Sequence, residues 1–287
     1  MKKIMILAIL LILIINGFAQ EEGVYNRFRH SREEYIAVMR DLANDNVRNI
    51  DCNDERERTE INMCKTVFYS DTSSFESKRE TIQILRPTNC QEVIDFYIDI
   101  LKNETDTRIR HNVLECLGWT RAKSSIPFLL EVANKENDLA FVKNIARVLC
   151  VMEEFDKASF ILDRLCFNED GSVNKDCIET YAFTGKDELV KNYYLSEWEK
   201  DNDEDNKFRI ALRLTEYGIY DITFSIIKEN LLGTDRWKRY SALAGLGAIA
   251  TEEALELIEN CMDDDDIVIA NYAKFVLLCL KEGRRYE

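Results

Sequence analysis

A period of about 32 residues runs through the sequence and constrains the fold more than any other feature. An apolar residue followed by a small one, and eight residues later by a second apolar stretch, recurs along the chain. The small residue falls at positions 32, 32, 33 and 32 residues apart, namely Gly118, Cys150, Ala182, Thr215 and Gly247. A period of this length indicates a repeat protein, in which one small unit is stacked many times.

The repeating unit is predicted to be helical. The chain has two prolines and ten glycines, and no stretch shows the sustained alternation of a strand. Apolar residues instead return at helical spacing, as from Ile269 to Leu280. A single pair of helices is too small to bury its apolar stripe, so the pairs must stack. Three residues after the small position, Gly185 and Gly218 are predicted to supply a left-handed turn that ends the helix.

Two units are preserved well enough to show a family resemblance. One begins at Asp235 and continues through Arg239 to Leu246-Gly247, and the other has Arg110 and Gly118 in the same places. These features resemble HEAT repeats, of the type named after phycobilisome lyases. The resemblance implies an all-α fold, an α-solenoid (HEAT-like superhelix) of about six stacked helix pairs with an N-terminal helical cap. It covers residues 75–287, about three quarters of the chain, and carries little information on activity.

The first residues are typical of a bacterial secretory signal. Lys2 and Lys3 precede an apolar run at residues 4–15, and the small residues Gly17 and Ala19 fit cleavage after Ala19. This run is short for a membrane span. We therefore expect a signal peptide at residues 1–19, a periplasmic or secreted protein, and no stable membrane insertion after cleavage.

Residues 20–74 differ in pattern from the repeats and are predicted to form an N-terminal cap or extension. They start with basic residues, Arg27, Arg29 and Arg32, and contain one amphipathic stretch at residues 33–42. An alternative is a disordered basic arm that docks onto the acidic surface of the protein.

Nine cysteines in an exported chain predict disulfides. Cys166 and Cys177 flank a turn between two helices, so they can meet. Cys90 begins a helix that should run antiparallel to the helix ending near Cys116, which predicts a second pair. Because nine is odd, at least one thiol is left over or pairs with another chain.

The other cysteines are predicted to be buried thiols or stay open. Cys261 and Cys279 are separated by mostly helical residues that should hold them at opposite edges, so we expect both to be buried, as Cys150 is. Pairing of Cys52 with Cys64 stays possible.

The sequence has little material for catalysis or metal binding. His30 and His111 are the only histidines, and no Gly-rich phosphate loop or nucleophile elbow occurs. The alternating aspartates from Asp201 resemble a calcium loop, but Asn206 stands where glycine is needed and Leu212 where the bidentate glutamate belongs. We predict a non-enzyme with no cofactor and no metal.

The charge indicates which partners are excluded. The net charge is −15, which repels nucleic acid and favours a basic protein partner, although an acidic coat can also serve solubility alone. Residues 153–205 contain 16 acidic and 6 basic side chains. Second helices line the concave side in HEAT-like stacks, and one carries the predicted binding residues Tyr193, Tyr194, Glu197, Trp198 and Glu199. Alternatively, Tyr194 and Trp198 belong to the core.

These observations favour a non-catalytic protein-binding scaffold or adaptor, acting in the periplasm or outside the cell through an acidic concave surface. A narrower version is an inhibitor of a basic protein. The alternatives are a small-ligand-binding or lyase-like enzyme on a HEAT-like scaffold, and a purely structural envelope component.

Overall fold

The structure is a computed structural model, which describes residues 50, 52–85, 88 and 90–281. The predicted signal peptide, the basic start of the cap and the amphipathic stretch at residues 33–42 lie outside the described residues. The predicted boundary between cap and repeats, at residues 74 and 75, coincides with the start of a helix but is otherwise still a prediction.

The described part of the chain is α-helical, with no β-strand and one isolated bridge between Phe167 and Val173. None of its helices has the length and apolarity needed to cross a membrane. In chain order the fourteen helices described are α1 (Glu55–Phe68), α2 (Phe75–Leu85), α3 (Gln91–Asn103), α4 (Thr107–Thr120), α5 (Ile126–Lys135), α6 (Leu139–Val151), α7 (Phe155–Cys166), α8 (Ile178–Phe183), α9 (Asp187–Lys200), α10 (Glu204–Glu216), α11 (Phe224–Leu232), α12 (Arg236–Ile249), α13 (Glu252–Asn260) and α14 (Ile267–Lys281).

An aspartate fixes where most of the first helices of the repeats begin. Asp106, Asp138, Asp203 and Asp235 each stand directly before a helix, and each side chain accepts a hydrogen bond from a backbone N–H two or three residues later. Asp54 caps α1 in the same way. These contacts satisfy N–H groups that have no partner within the helix, so the acidic residue at the start of each unit is explained by capping.

The helix ends follow the same period. The residue three positions after the small residue has a positive φ in all five units, at Arg121, Glu153, Gly185, Gly218 and Ala250. The prediction for Gly185 and Gly218 is confirmed, with φ of 77° and 76°. The other three positions hold L-residues in the left-handed region, which is costly for a residue with a Cβ atom.

The described chain divides into two compact units, and the boundary falls inside α9 between Tyr193 and Tyr194. In the unit Arg32–Tyr193 the first helices α2, α4, α6 and α8 pack in series, with α3, α5 and α7 alongside them. The approach is close at Gly118, where an added Cβ would lie 3.3 Å from Val148 Cγ2. The small residue therefore lets α4 and α6 come together, as the sequence predicts.

The unit Tyr194–Glu287 has the same construction. The first helices α10, α12 and α14 pack in series, and α11 and α13 lie beside them. Its core is one cluster of buried apolar side chains, among them Leu246, Ile258 and Val276. Each unit is thus built as an all-α solenoid in which a helix pair contacts its neighbours, and the predicted fold class is confirmed.

A charged contact joins successive repeats in the first unit. Lys78 of α2 donates to Glu104 Oε2 at 2.7 Å, while Glu104 Oε1 accepts the backbone N–H of Asp106 at 3.0 Å. One repeat later Arg110 donates to Glu136 at 3.0 Å, and Glu136 again accepts backbone N–H groups at the start of the next helix. We call each such contact a rung, because one acid joins the preceding repeat to the next helix start.

A third rung lies in the second unit. Arg239 of α12 donates to Asp264 Oδ1 at 3.2 Å, and the same oxygen accepts the N–H of Asp266 at 2.9 Å. The hydrogen bond from Arg239 holds the pKa of Asp264 below its usual value. At Glu104, burial alone would raise the pKa, but the hydrogen bonds from Asp106 and Lys78 outweigh it and the pKa is lowered.

Two disulfides are present among the described residues. Cys166 and Cys177 are joined across the turn, with Cα atoms 5.8 Å apart, as that turn predicts. The predicted pairing of Cys90 with Cys116 is wrong, because Cys90 is joined to Cys52, with Cα atoms 5.9 Å apart. Cys90 stands at the start of α3, where it meets the segment before α1, whereas Cys116 lies on the buried face of α4.

The thiols outside the two disulfides are buried. Cys64 is one of them, which excludes its pairing with Cys52. Cys150, Cys261 and Cys279 are buried and take part in neither disulfide, in agreement with the sequence.

Candidate functional site

The predicted binding residues all lie on α9. Tyr193, Tyr194, Glu197 and Trp198 are partly buried, and Glu199 is exposed. The unit boundary passes between the two tyrosines, so Tyr193 belongs to the first unit and the other four residues to the second.

Two of these residues have partners within the second unit. Trp198 packs against its apolar core, and Lys207 Nζ lies 5.6 Å from the centre of the indole ring. Glu197 pairs with Lys200 at 3.4 Å. The packing of Trp198 agrees with the alternative that it belongs to the core. The assignment of α9 as a binding surface stays a prediction.

A more exposed aromatic feature occurs on the second helices of the first unit. Phe96 on α3, Phe128 on α5 and Phe160 on α7 are spaced 32 residues apart and occupy the same place in three successive repeats. Their burial differs: Phe96 is 4% exposed, Phe128 is half-buried, and Phe160 is 67% exposed. We call these three side chains the phenylalanine row.

Lysines of the chain lie near the first two rings. Lys65 Nζ lies 5.9 Å from the centre of the Phe96 ring, and Lys102 Nζ lies 5.2 Å from that of Phe128. A cation at this distance over a ring face is attracted to the electron-rich face. Phe160 has no such cation among the described residues.

The repeat before Phe160 has no basic side chain at the position equivalent to Lys102. Moving from Lys102 by one period of 32 residues leads to Asn134, which is exposed near the end of α5. Asparagine is too short and carries no charge. Asn134 therefore cannot place a cation over the Phe160 ring, which is 67% exposed.

Two acidic side chains lie close to Phe160 on the exposed face of α7. Asp156 and Asp163 lie four residues before it and three after it, so they neighbour the ring on the surface of α7. Asp156 forms no ion pair within the described part of the chain. Asp163 accepts a hydrogen bond from Tyr181 at 2.7 Å. Burial, together with this bond, raises the pKa of Tyr181.

The basic residues of α7 are already engaged. Arg164 donates to the backbone oxygens of Ala133, at 2.6 Å, and of Glu136, and Lys157 pairs with Glu154. Their charges are thus already engaged by neighbouring groups, whereas Asp156 forms no ion pair among the described residues.

The described residues offer little catalytic chemistry. His111 is half-buried, hydrogen-bonded to Asn144, and has its ring 5.3 Å from that of Phe141. Burial lowers its pKa, which keeps the imidazole neutral near pH 7. No group of three or more histidine, cysteine, aspartate or glutamate side chains in the described ranges could hold a metal ion. His30 lies outside them.

The aspartates that resemble a calcium loop have structural partners. Asp201 accepts the N–H of Asp203, Asp203 caps α10, and Asp205 pairs with Lys238. Their alternation is accounted for by the loop and by the start of the helix.

The phenylalanine row was not predicted as a site from the sequence, although its signal is present there. The repeat frame aligns Phe128 with Phe160, and a lysine precedes the first of them by the same number of residues as Asn134 precedes the second. Comparing neighbouring repeats for a missing lysine would have identified the exposed ring.

Two family models match the sequence. The model described as HEAT repeats matches residues 69–150, and the model described as PBS lyase HEAT-like repeat matches residues 238–264. No curated protein sequence matches the chain. A solved structure of human deoxyhypusine hydroxylase in complex with glycerol is similar at 12% identity and a TM-score of 0.28, covering 88% of this chain and 97% of that chain.

Identity and TM-score are too low in that structure to carry any argument about this chain. The family models, in contrast, match residues that lie in the packed helices described above, with one match in each unit. The chain thus has HEAT-type repeats within residues 69–150 and 238–264.

Proposed function

We propose that this chain is a non-catalytic protein-binding scaffold or adaptor, and that the surface around Phe160 is where its partner docks. HEAT repeats stack into long surfaces that suit protein contacts, which supports the general role. The partner is a basic protein, since the chain carries a net charge of −15.

The exposed ring of Phe160 is the observation that carries the proposal. Aromatic side chains are enriched among residues that dominate binding energy at protein interfaces. Lys102 lies over the equivalent ring of Phe128, whereas no cation of the described residues lies over Phe160. Phe160 is 67% exposed, so its ring is accessible to a partner.

We further propose that the protein is exported and acts in the periplasm or outside the cell. The signal-like residues 1–19 motivate this, and the two disulfides support an oxidising compartment. Fractionation of cells that produce the tagged chain, with sequencing of the mature N-terminus, tests it. Cytoplasmic protein with an intact first residue would refute export.

The docking surface is tested by comparing two matched variants. Phe160→Asp changes a side chain that is 67% exposed on α7, and Leu232→Asp changes one that is 70% exposed on α11. Both variants should stay folded, because both positions face solvent. The tagged chain is incubated with envelope and culture fractions at low and at high salt.

We expect a basic protein that is captured by wild type and by Leu232→Asp, released by salt, and lost with Phe160→Asp. Capture that is equal in both variants would refute docking at Phe160. A third variant, Glu197→Lys with Glu199→Lys, tests the predicted surface on α9 in the same assay. Turnover of a metabolite by the purified chain, with no captured protein, would favour the enzyme alternative.

A further inference from the structure

We propose that Phe160 receives a cationic side chain of the partner, a lysine or an arginine laid over its ring. The partner's cation would take the place that the chain's own lysines occupy at Phe96 and Phe128. This inference rests on the proposed function and specifies how the partner is recognised.

The precedent within the same unit is geometric. Lys102 extends from the preceding second helix and places its ammonium 5.2 Å from the centre of the Phe128 ring, and Lys65 of α1 lies 5.9 Å from that of Phe96. The spacing of 26 residues between Lys102 and Phe128 is the same as that between Asn134 and Phe160. The backbone frame that allows this contact continues into α7, where Phe160 occupies the equivalent position.

The chain does not supply the third cation. Asn134 stands one period after Lys102, and its neighbour Lys135 pairs with Glu131 at 2.6 Å. The position over the Phe160 ring is therefore open to a cation from another molecule.

The charges around the ring favour a cation over an apolar group. Asp156 and Asp163 lie on the same exposed face of α7, four residues before and three residues after Phe160. An ammonium or guanidinium group above the ring would lie between two carboxylates, which adds charge attraction to the attraction of the ring face.

A purely apolar contact would gain little at this place. The exposed neighbours of Phe160 on α7 are charged, namely Asp156, Lys157, Asp163 and Arg164. A partner that offered an apolar side chain would bury a single ring and would remove water from several charges. A partner that offers a lysine or arginine covers the same ring and keeps the carboxylates paired.

The test separates the ring's electronic character from its apolar area. The purified full chain is titrated into a fluorescein-labelled peptide of alternating lysine and serine, and binding is followed by fluorescence anisotropy. The variants are Phe160→Leu, which keeps apolar area without a ring, and Phe160→Tyr, which keeps the ring. A peptide with every lysine acetylated serves as the neutral probe.

We expect Phe160→Leu to bind the lysine peptide about 5- to 30-fold more weakly than wild type, the range of a cation–ring contact between exposed and shielded settings. Phe160→Tyr should bind within about twofold of wild type. The acetylated peptide should bind weakly to all three proteins.

A second pair of variants restores the covering lysine from inside the chain. Asn134→Lys should occupy the Phe160 ring and weaken the lysine peptide by a factor similar to Phe160→Leu. Asn134→Gln, which is matched in shape but neutral, should leave binding unchanged. Circular dichroism melts of all variants check that the fold is kept.

The inference is overturned if Phe160→Leu binds the lysine peptide as tightly as wild type, or if Asn134→Lys and Asn134→Gln behave alike. These failures differ from failure of the proposed function. If Phe160→Asp loses the captured partner while Phe160→Leu keeps it, the docking surface stands and cation recognition is refuted. If neither variant affects capture, the surface itself is refuted.

Discussion

The left-handed residue at the end of each first helix allows a sharp test of the repeat geometry. Ala250 has a φ of 51° and is exposed, and Gly218 has a φ of 76° at the equivalent place one repeat earlier. A Cβ added at Gly218 would meet no heavy atom within 4 Å, so its replacement by alanine changes only the backbone preference. The two substitutions Ala250→Gly and Gly218→Ala are therefore opposite versions of one change.

The magnitude follows from two opposing terms. An L-residue in the left-handed region costs about 1–2 kcal/mol, and glycine costs about 0.4–1 kcal/mol through the greater freedom of the unfolded chain. The difference predicts that Ala250→Gly raises the free energy of unfolding by about 0.5–1 kcal/mol. Gly218→Ala should lower it by a similar amount.

Urea unfolding followed by far-UV circular dichroism measures both changes, with m held common among variants. Ala248→Gly is the matched control, because Ala248 is an exposed residue of α12 two positions away. In right-handed helix this substitution should destabilise by about 1 kcal/mol, the opposite sign. The reasoning is refuted if Ala250→Gly destabilises as Ala248→Gly does, or if Gly218→Ala is as stable as wild type.

Three further predictions concern the contacts that hold the repeats. Glu104→Gln should lower the free energy of unfolding by about 1–2 kcal/mol at pH 7 by weakening the rung to Lys78. Because folding lowers the pKa of Glu104, this contribution is present above about pH 4.3 and is lost as the pH falls through the lower folded value. Chemical denaturation should therefore show the stabilities of wild type and variant converging in acid. Replacing Cys166 and Cys177 together by serine should cost about 3 kcal/mol by the loop-closure estimate, and a reductant added to wild type should cause at least this loss in a thermal melt, because it also reduces Cys52–Cys90. Asp235→Ala should cost about 1 kcal/mol by removing the cap of α12, whereas equal stability of Asp235→Asn would show that the cap accepts hydrogen bonds without needing charge.

The period predicted the fold because it records a packing requirement that every repeat must meet. The small residue at Gly118 marks the close approach to Val148, and that requirement is visible in one sequence. The left-handed conformation was predictable at Gly185 and Gly218 but not at Ala250, since an alanine gives no local sign of it. There the surrounding repeat imposes the conformation against the preference of the residue.

The candidate site and one disulfide were not predicted from the sequence, because both depend on contacts between distant segments of the chain. Whether a cation lies over Phe160 depends on residue 134 in another repeat, so the phenylalanine alone does not reveal it. The partner of Cys90 is Cys52, which precedes the first described helix and lies outside the repeat pattern. In both cases the residue could be identified in the sequence, but the residue that contacts it, or fails to, was identified only from the folded structure.

The rungs affect how a repeat protein of this kind can gain further repeats by duplication. Each one joins a base at the start of a unit to an acid that stands just before the next unit, as Arg110 does with Glu136. A duplicated copy of residues 106–137, inserted after residue 137, would bring its own base and its own acid in the correct order. Lengthening by this whole unit thus preserves the rung on either side of the insertion, whereas a partial copy that lacked Arg110 or Glu136 would leave one residue of a rung without its partner.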